Sequence, residues 1–389
     1  LGYAALVAAG YPLISILSVP ASIADIALVS AAISIVYLAV VARVVLTGPE
    51  RDLIRSVLLP HLTEGPVLAP LTGRWVRLNY SRDIPTDRSM RSFEEGRVSV
   101  LTPCYNGEAY LDRYFTSLSR QTYDDLEIIV VNDGSTDDTE AVCLSWKDEL
   151  EARGYAFRYI PLAANRGAAG AINAGLPYVT GEYLIWPDCD DALMPTSVAK
   201  RVEFLESHPD YAMVRSDYAA VREENPGVVV RYGSEGAVVH NEDIFEDLLF
   251  ERTYCTSGCY MVRSAVLFER IPACGIYWQN RAGQNWQLLI PCAYRNKTGY
   301  IDEPLYIYYI RPESHSHRIE GEEYSGLRER TFLHQELQRE VISAFYLLAE
   351  DEKAWYLARI DRRYSMKRLK FALRYNRFED ATAELRALR

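Results

Sequence analysis

Apolar and polar positions divide the chain into four regimes. From Leu1 to Val19 no charged residue occurs, and none occurs from Ile26 to Ala42, with Asp25 between the runs and Arg43 after them. Each run approaches the roughly twenty apolar residues that cross a bilayer, and Pro20-Ala21-Ser22 suits a tight hairpin. The pattern predicts an apolar, membrane-associated helical hairpin over residues 1–47, with a buried soluble helix pair as the alternative. Residues 48–96 carry Pro60, Pro66, Pro70 and Pro85 with little periodicity, which predicts a linker. From 97 to 320 apolar runs alternate with helical spacing. From 321 to 389 proline is absent and Leu327 to Leu388 predicts several helices.

Within residues 97–320 the elements succeed one another regularly. Strands are expected at Val98–Thr102, Glu127–Val131, Phe157–Ile160 and Tyr183–Trp186, and helices at Glu108–Arg120, from Thr136, and at Ala168–Leu176. Such alternation predicts a doubly wound, mainly parallel α/β sheet whose ligands gather beyond the carboxyl ends of the strands. Polar residues cluster at those ends: Thr102 to Asn106, Asp133, Asn165-Arg166-Gly167, and Asp188-Cys189-Asp190-Asp191. Further strands are expected at Tyr211–Tyr218, Gly227–Tyr232 and Ser257–Arg263.

The acid cluster is hard to explain as packing. An apolar strand bounded by Gly181 and Pro187 ends abruptly in three carboxylates, which repel unless a cation or hydrogen bonds compensate. If the segment stays extended, Asp188 and Asp190 share one face and Asp191 takes the other. Two carboxylates on one face can share a cation. The competing explanation is that Asp190 or Asp191 caps a helix beginning near Pro195.

A net charge of −11 over 389 residues and the lack of long basic runs argue against nucleic acid as a partner. Seven scattered cysteines make no disulfide framework. The basic residues Arg43, Arg51 and Arg55 after the apolar runs place the C-terminal side of those runs in the cytoplasm under the positive-inside rule. Localisation at the inner (cytoplasmic) membrane, with the α/β domain facing the cytoplasm, is therefore expected. Leu1 in place of Met suggests a fragment or a nonstandard start.

The successive segments Val98 to Asn106, Glu127 to Asp137, Asn165 to Gly167 and Asp188 to Asp191 resemble, in order and spacing, the motifs of family 2 glycosyltransferases with the GT-A fold. The resemblance covers residues 97 to about 315. It implies a nucleotide-diphosphate sugar as donor, with Pro103, Tyr105, Asn106, Asp133, Asn165, Arg166, Gly167 and Asp188 in its binding site. It also implies Mg²⁺ or Mn²⁺ held by Asp188 and Asp190 as a DxD motif, with His317, or His315 beside it, as a further ligand. A carboxylate such as Asp133 can accept a hydrogen bond from a uracil N–H, which favours a UDP-linked donor. A divalent cation would stabilise the charge developing on the departing diphosphate.

One position departs from the family pattern. Inverting members carry a carboxylate base where this chain has Gln284-Asn285, and a neutral amide is no base near neutral pH. The base then comes from elsewhere, with Asp191, Asp217 or a histidine of 315–317 as candidates; or the acceptor needs little help; or the chain binds donor without efficient turnover. Gln284 and Asn285 would orient hydroxyls, and Trp286 either stacks on a sugar or fills the core. No Gln-x-x-Arg-Trp motif of processive synthases is present, so one sugar per encounter is expected, passed to a glycan or polyprenyl-linked acceptor. The rival expectation is a catalytically weak sugar-nucleotide-binding subunit coupled to a polysaccharide flippase, since Arg43 to Arg55 resembles a flippase tail.

Overall fold

A computed structural model of the chain describes residues 92–271, 275–277, 283–311 and 324–388. The apolar hairpin expected over 1–47, the linker up to residue 91, and His315 and His317 lie outside the described residues. No helix among the described residues is long and apolar enough to cross a membrane.

Among the described residues nine strands form one sheet: β1 (Glu94–Cys104), β2 (Leu126–Asn132), β3 (Ala156–Pro161), β4 (Gly181–Ile185), β5 (Ala192–Leu193), β6 (Tyr211–Arg222), β7 (Asn225–Tyr232), β8 (Tyr260–Arg263) and β9 (Lys297–Ile310). The helices are α1 (Glu108–Ser119), α2 (Thr139–Ser145), α3 (Lys147–Ala152), α4 (Gly167–Gly175), α5 (Ser197–Ser207), α6 (Phe245–Leu249), α7 (Ser264–Arg270), α8 (Asn285–Ala293), α9 (Tyr324–Ala344), α10 (Glu350–Arg374) and α11 (Phe378–Ala387). The sheet order is β3-β2-β1-β4-β8-β6-β9-β5, with β7 beside β6.

The first half is the parallel sheet that the alternation predicts, with β1 parallel to β2 and β4, and β2 parallel to β3. Every residue of β2 is buried, so its apolar run is continuous instead of alternating. The second half corrects the expectation of a mainly parallel sheet. β8 runs antiparallel to β4 and β6, β7 to β6, and β5 to β9, while β9 is parallel to β6. A tight hairpin pairing Arg222 with Asn225 joins β6 to β7, and such a turn allows only antiparallel pairing.

Several boundaries move for local reasons. β1 starts at Glu94, inside the expected linker. The helix expected from Thr136 starts at Thr139, because Asp137 Oδ1 first accepts hydrogen bonds from the Thr139 amide (3.1 Å) and hydroxyl (2.5 Å). Ser257–Cys259 is a 3₁₀ turn leading into β8. The C-terminal helices are no separate layer: Ile342, Phe345, Ile360 and Tyr364 belong to the same core as Val100, Ile128 and Leu184.

Candidate active site

β4 lies between β1 and β8, and its apolar residues continue through the fully buried Trp186. Beyond Pro187 the chain leaves the sheet and turns, with the Asp191 amide donating to the Asp188 carbonyl at 3.4 Å. This corrects the extended arrangement, and each of the three carboxylates takes partners of its own. Helix capping does not explain them either, since α5 is preceded by Thr196 with no side-chain cap.

Asp191, expected as a candidate base, is only 1% exposed, and both of its oxygens are engaged. Its Oδ2 accepts from the Tyr306 hydroxyl at 2.8 Å and its Oδ1 from the Tyr309 amide at 2.9 Å. Burial, and next the neighbouring Asp188, push its carboxyl up to about 8. With no free oxygen, Asp191 ties the turn to β9, and the base role expected of it is corrected on that ground. Asp188 is partly buried and accepts from the Ser257 hydroxyl at 2.7 Å. Burial raises its carboxyl above the usual range, opposed by Ser257 and by the charge of Arg311. Asp190 forms an ion pair with Arg311.

Two guanidinium groups therefore converge on the turn. Arg311 stacks over Tyr110 at 4.1 Å from the ring centre. Arg113, from α1, donates to the Asp190 carbonyl at 2.6 Å, pairs with Glu223 at 3.0 Å and lies 3.7 Å over the Tyr309 ring. Sequence reasoning missed Arg113, Arg311, Tyr306 and Ser257. The one available signal was the aromatic and β-branched run Leu305 to Ile310, which reads as a strand passing the acid tip.

The loops after β1 to β3 are stitched together by side chains predicted to bind nucleotide. Pro103 is buried in β1, in register with Val131, and Tyr105 is 47% exposed beyond it. Asn106 adopts φ 50°, a left-handed conformation that asparagine tolerates better than most residues. Its amide donates to Ser135 Oγ and its side-chain oxygen accepts from the Thr136 amide, each at 2.9 Å. Asp133 is buried and accepts from the Arg166 amide at 2.8 Å, which joins the second and third loops. Gly134, at φ +70°, lies so close to Ala164 that a Cβ there would meet its carbonyl carbon at 2.8 Å. Asn165 Oδ1 accepts from the Gly167 amide at 3.1 Å at the start of α4, and Arg166 is exposed.

On the other side of the acid tip, Gln284 is buried at the N-terminal end of α8. Asn285 Oδ1 accepts from the Trp186 indole N–H at 2.9 Å, which links α8 to the end of β4. Trp286 is partly buried, packs against the core and meets His334 of α9 edge-on at 4.9 Å, which favours the core-filling role. Asp217 is likewise structural. Its oxygens accept from the Tyr218 and Ser234 amides at 2.7 and 2.9 Å and from the Ser234 hydroxyl at 2.6 Å.

Among the described residues no three His, Cys, Asp or Glu side chains are grouped to hold a metal ion. Asp188 and Asp190 are hard oxygen donors of the kind Mg²⁺ takes, and Asp190 is paired with the Arg311 guanidinium.

Residues 99–269 match the model of the family described as glycosyl transferase family 2. An uncharacterized glycosyltransferase of Haemophilus influenzae is 34% identical over 158 residues, 39% of this chain and 47% of the relative. One from Rickettsia prowazekii is 28% identical over 180 residues, 45% of this chain and 52% of the relative. The chain spans about half the length of these relatives. Among solved structures, S. aureus TarS in complex with UDP-GlcNAc matches with a TM-score of 0.53 at 19% identity, covering 69% of this chain and 72% of that one. At that identity the likeness is one of fold.

Proposed function

We propose, from the match of residues 99–269 to the glycosyl transferase family 2 model, that this chain moves one sugar at a time from a UDP-linked donor to a glycan or polyprenyl-linked acceptor at the cytoplasmic face of a membrane. The observation that supports the reading is the acid tip beyond β4, where Asp188 accepts from the Ser257 hydroxyl and Asp190 pairs with Arg311. TarS, whose structures hold UDP and UDP-GlcNAc, supports the choice of uridine.

In this reading Asp188 and Asp190 hold Mg²⁺ or Mn²⁺, with His317 as a further ligand. When bound, the cation neutralises the charge that develops on the departing diphosphate. Tyr105 lines the base and ribose, Asp133 and Asn106 fix the loops around them, and Arg166 faces a phosphate. Ser257 orients Asp188, and Tyr306 with Asp191 holds the turn rigid. Gln284 orients hydroxyls from the start of α8. His315 removes the acceptor proton, and attack of the acceptor oxygen on the face opposite the departing diphosphate inverts the anomeric carbon.

The reading is tested by titration calorimetry of UDP and GDP with and without Mn²⁺, on the unmodified chain and on Asp190→Ala. Manganese-dependent UDP binding that the substitution abolishes supports it. Binding of neither nucleotide, or binding indifferent to metal, sinks the metal assignment.

Asn285 favours a second reading, in which the chain binds sugar nucleotide with little turnover. Its amide stands where inverting relatives carry a carboxylate base. Asn285→Asp discriminates: a rise in transfer of roughly 10²-fold, the low end for a general base, would mark proton removal as the missing step, whereas unchanged transfer leaves that role to another group.

A further inference from the structure

The helical hairpin at the C-terminal end carries a surface that the transfer chemistry does not use. Seven consecutive residues, Leu373 to Glu379, are exposed where α10 turns into α11. The turn is fixed: Asn376 takes φ 56°, and the Arg377 amide closes back onto the Ala372 carbonyl at 2.7 Å. It thereby holds out Leu373 (52% exposed), Tyr375 (37%) and Phe378 (66%), and Leu385 (51%) lies on α11 two turns from Phe378. Large apolar side chains so exposed on neighbouring positions call for a partner.

Charge selects the partner. From Arg362 to Phe378 the sequence contains no acidic residue. Arg363 and Lys367 are spent on Glu251, and Arg368 on Glu384. Arg362, Lys370, Arg374 and Arg377 have no acidic partner among the described residues, and all four are exposed. Arg362, Met366, Lys370 and Arg374 recur at every fourth position, so they trace one stripe of α10 that ends at the apolar turn. Of the nearby acids, Asp380 is held by Tyr324 at 2.8 Å and Arg328 at 3.7 Å, and Glu379 is a single exposed carboxylate against the four exposed cations. A basic stripe leading to a protruding Leu-Tyr-Phe tip, in a chain of net charge −11, is the pattern of an interfacial segment. Its apolar residues enter the headgroup layer while its cations meet phosphates.

We propose that the α10–α11 turn docks on an anionic lipid surface, with Leu373, Tyr375 and Phe378 inserted and Arg362, Lys370, Arg374 and Arg377 against lipid phosphates. This contact is separate from the transfer reaction.

The test uses the full chain with vesicles of phosphatidylcholine containing one-third phosphatidylglycerol, read by hydrogen exchange. The proposal expects slowed exchange in peptides spanning 370–385 on these vesicles, and none on pure phosphatidylcholine. Arg374→Glu with Arg377→Glu should weaken the vesicle affinity of this contact roughly tenfold or more, as should raising the salt, while Phe378→Ser with Leu373→Ser removes the protection. UDP binding serves as the folding control for each variant. Vesicle binding with no protection in 370–385 would overturn the proposal, as would equal protection on neutral vesicles. Protection by an acidic protein but by neither vesicle would replace lipid with a protein partner.

Discussion

Asn285 is the residue at which sequence pattern and structure pull hardest against each other. Its side-chain oxygen is the acceptor for the indole N–H of the fully buried Trp186. Asn285→Ala should therefore strand a buried donor and cost about 1–3 kcal/mol in urea denaturation, whereas Asn285→Asp keeps an acceptor and should cost less. Equal losses would show that the hydrogen bond contributes nothing. The acid tip was legible in the sequence because three carboxylates after an apolar run have no packing explanation. Its surroundings were not. Arg113 reaches Asp190 across 77 residues, and Arg311 reaches it from the end of β9; no local period records such meetings. Asp191 shows the converse, since its sequence looks catalytic while its two oxygens are spent on Tyr306 and Tyr309.

Elements are placed by contacts that the same local logic only half reveals. β1, β2 and β4 were readable because buried parallel strands are continuous apolar runs. The full length of β9 was not, because Asp302-Glu303-Pro304 are exposed in its middle and separate the run Leu305 to Ile310 from the first half. Its position depends on Gly258, in the 3₁₀ turn before β8, where an added Cβ would overlap the Tyr306 ring. Gly258→Ala should displace that ring, release Asp191 and weaken Mn²⁺-dependent UDP binding along with stability. Unchanged binding would show that the turn holds its shape without Tyr306. The packing of α8 against α9 makes a second prediction. His334, edge-on to Trp286, has its imidazole pushed down to about 4, chiefly by burial. A depressed value means that its contribution to stability is complete above the unfolded value of about 6.5 and is lost as pH falls toward 4. The loss should reach about 3 kcal/mol between those limits, read as a falling urea midpoint, and His334→Phe should remove that slope.

At the scale of the whole molecule, the question is whether the C-terminal helices are an attachment or part of the fold. Composition alone separated residues 321–389 as an extension, because absence of proline and helical spacing describe how the segment folds and not what it packs against. The structure joins the two parts in one core. Ile342 and Tyr364 are fully buried with the strands. The Tyr364 hydroxyl donates to Glu251 at 2.7 Å, and Lys367 pairs with the same carboxylate, which these contacts hold below the usual range. Two parts that share a core unfold together, since neither can shed its neighbour without exposing apolar surface. Ile342→Ala should therefore cost about 2–5 kcal/mol and lower one calorimetric transition, by on the order of 5–10 °C, detected equally by signals from the sheet and from the helices. A variant in which the helices melt first while UDP binding survives would make the C-terminal region a separable module. It would also move the stabilising role of Glu251 from the active-site fold to the junction alone.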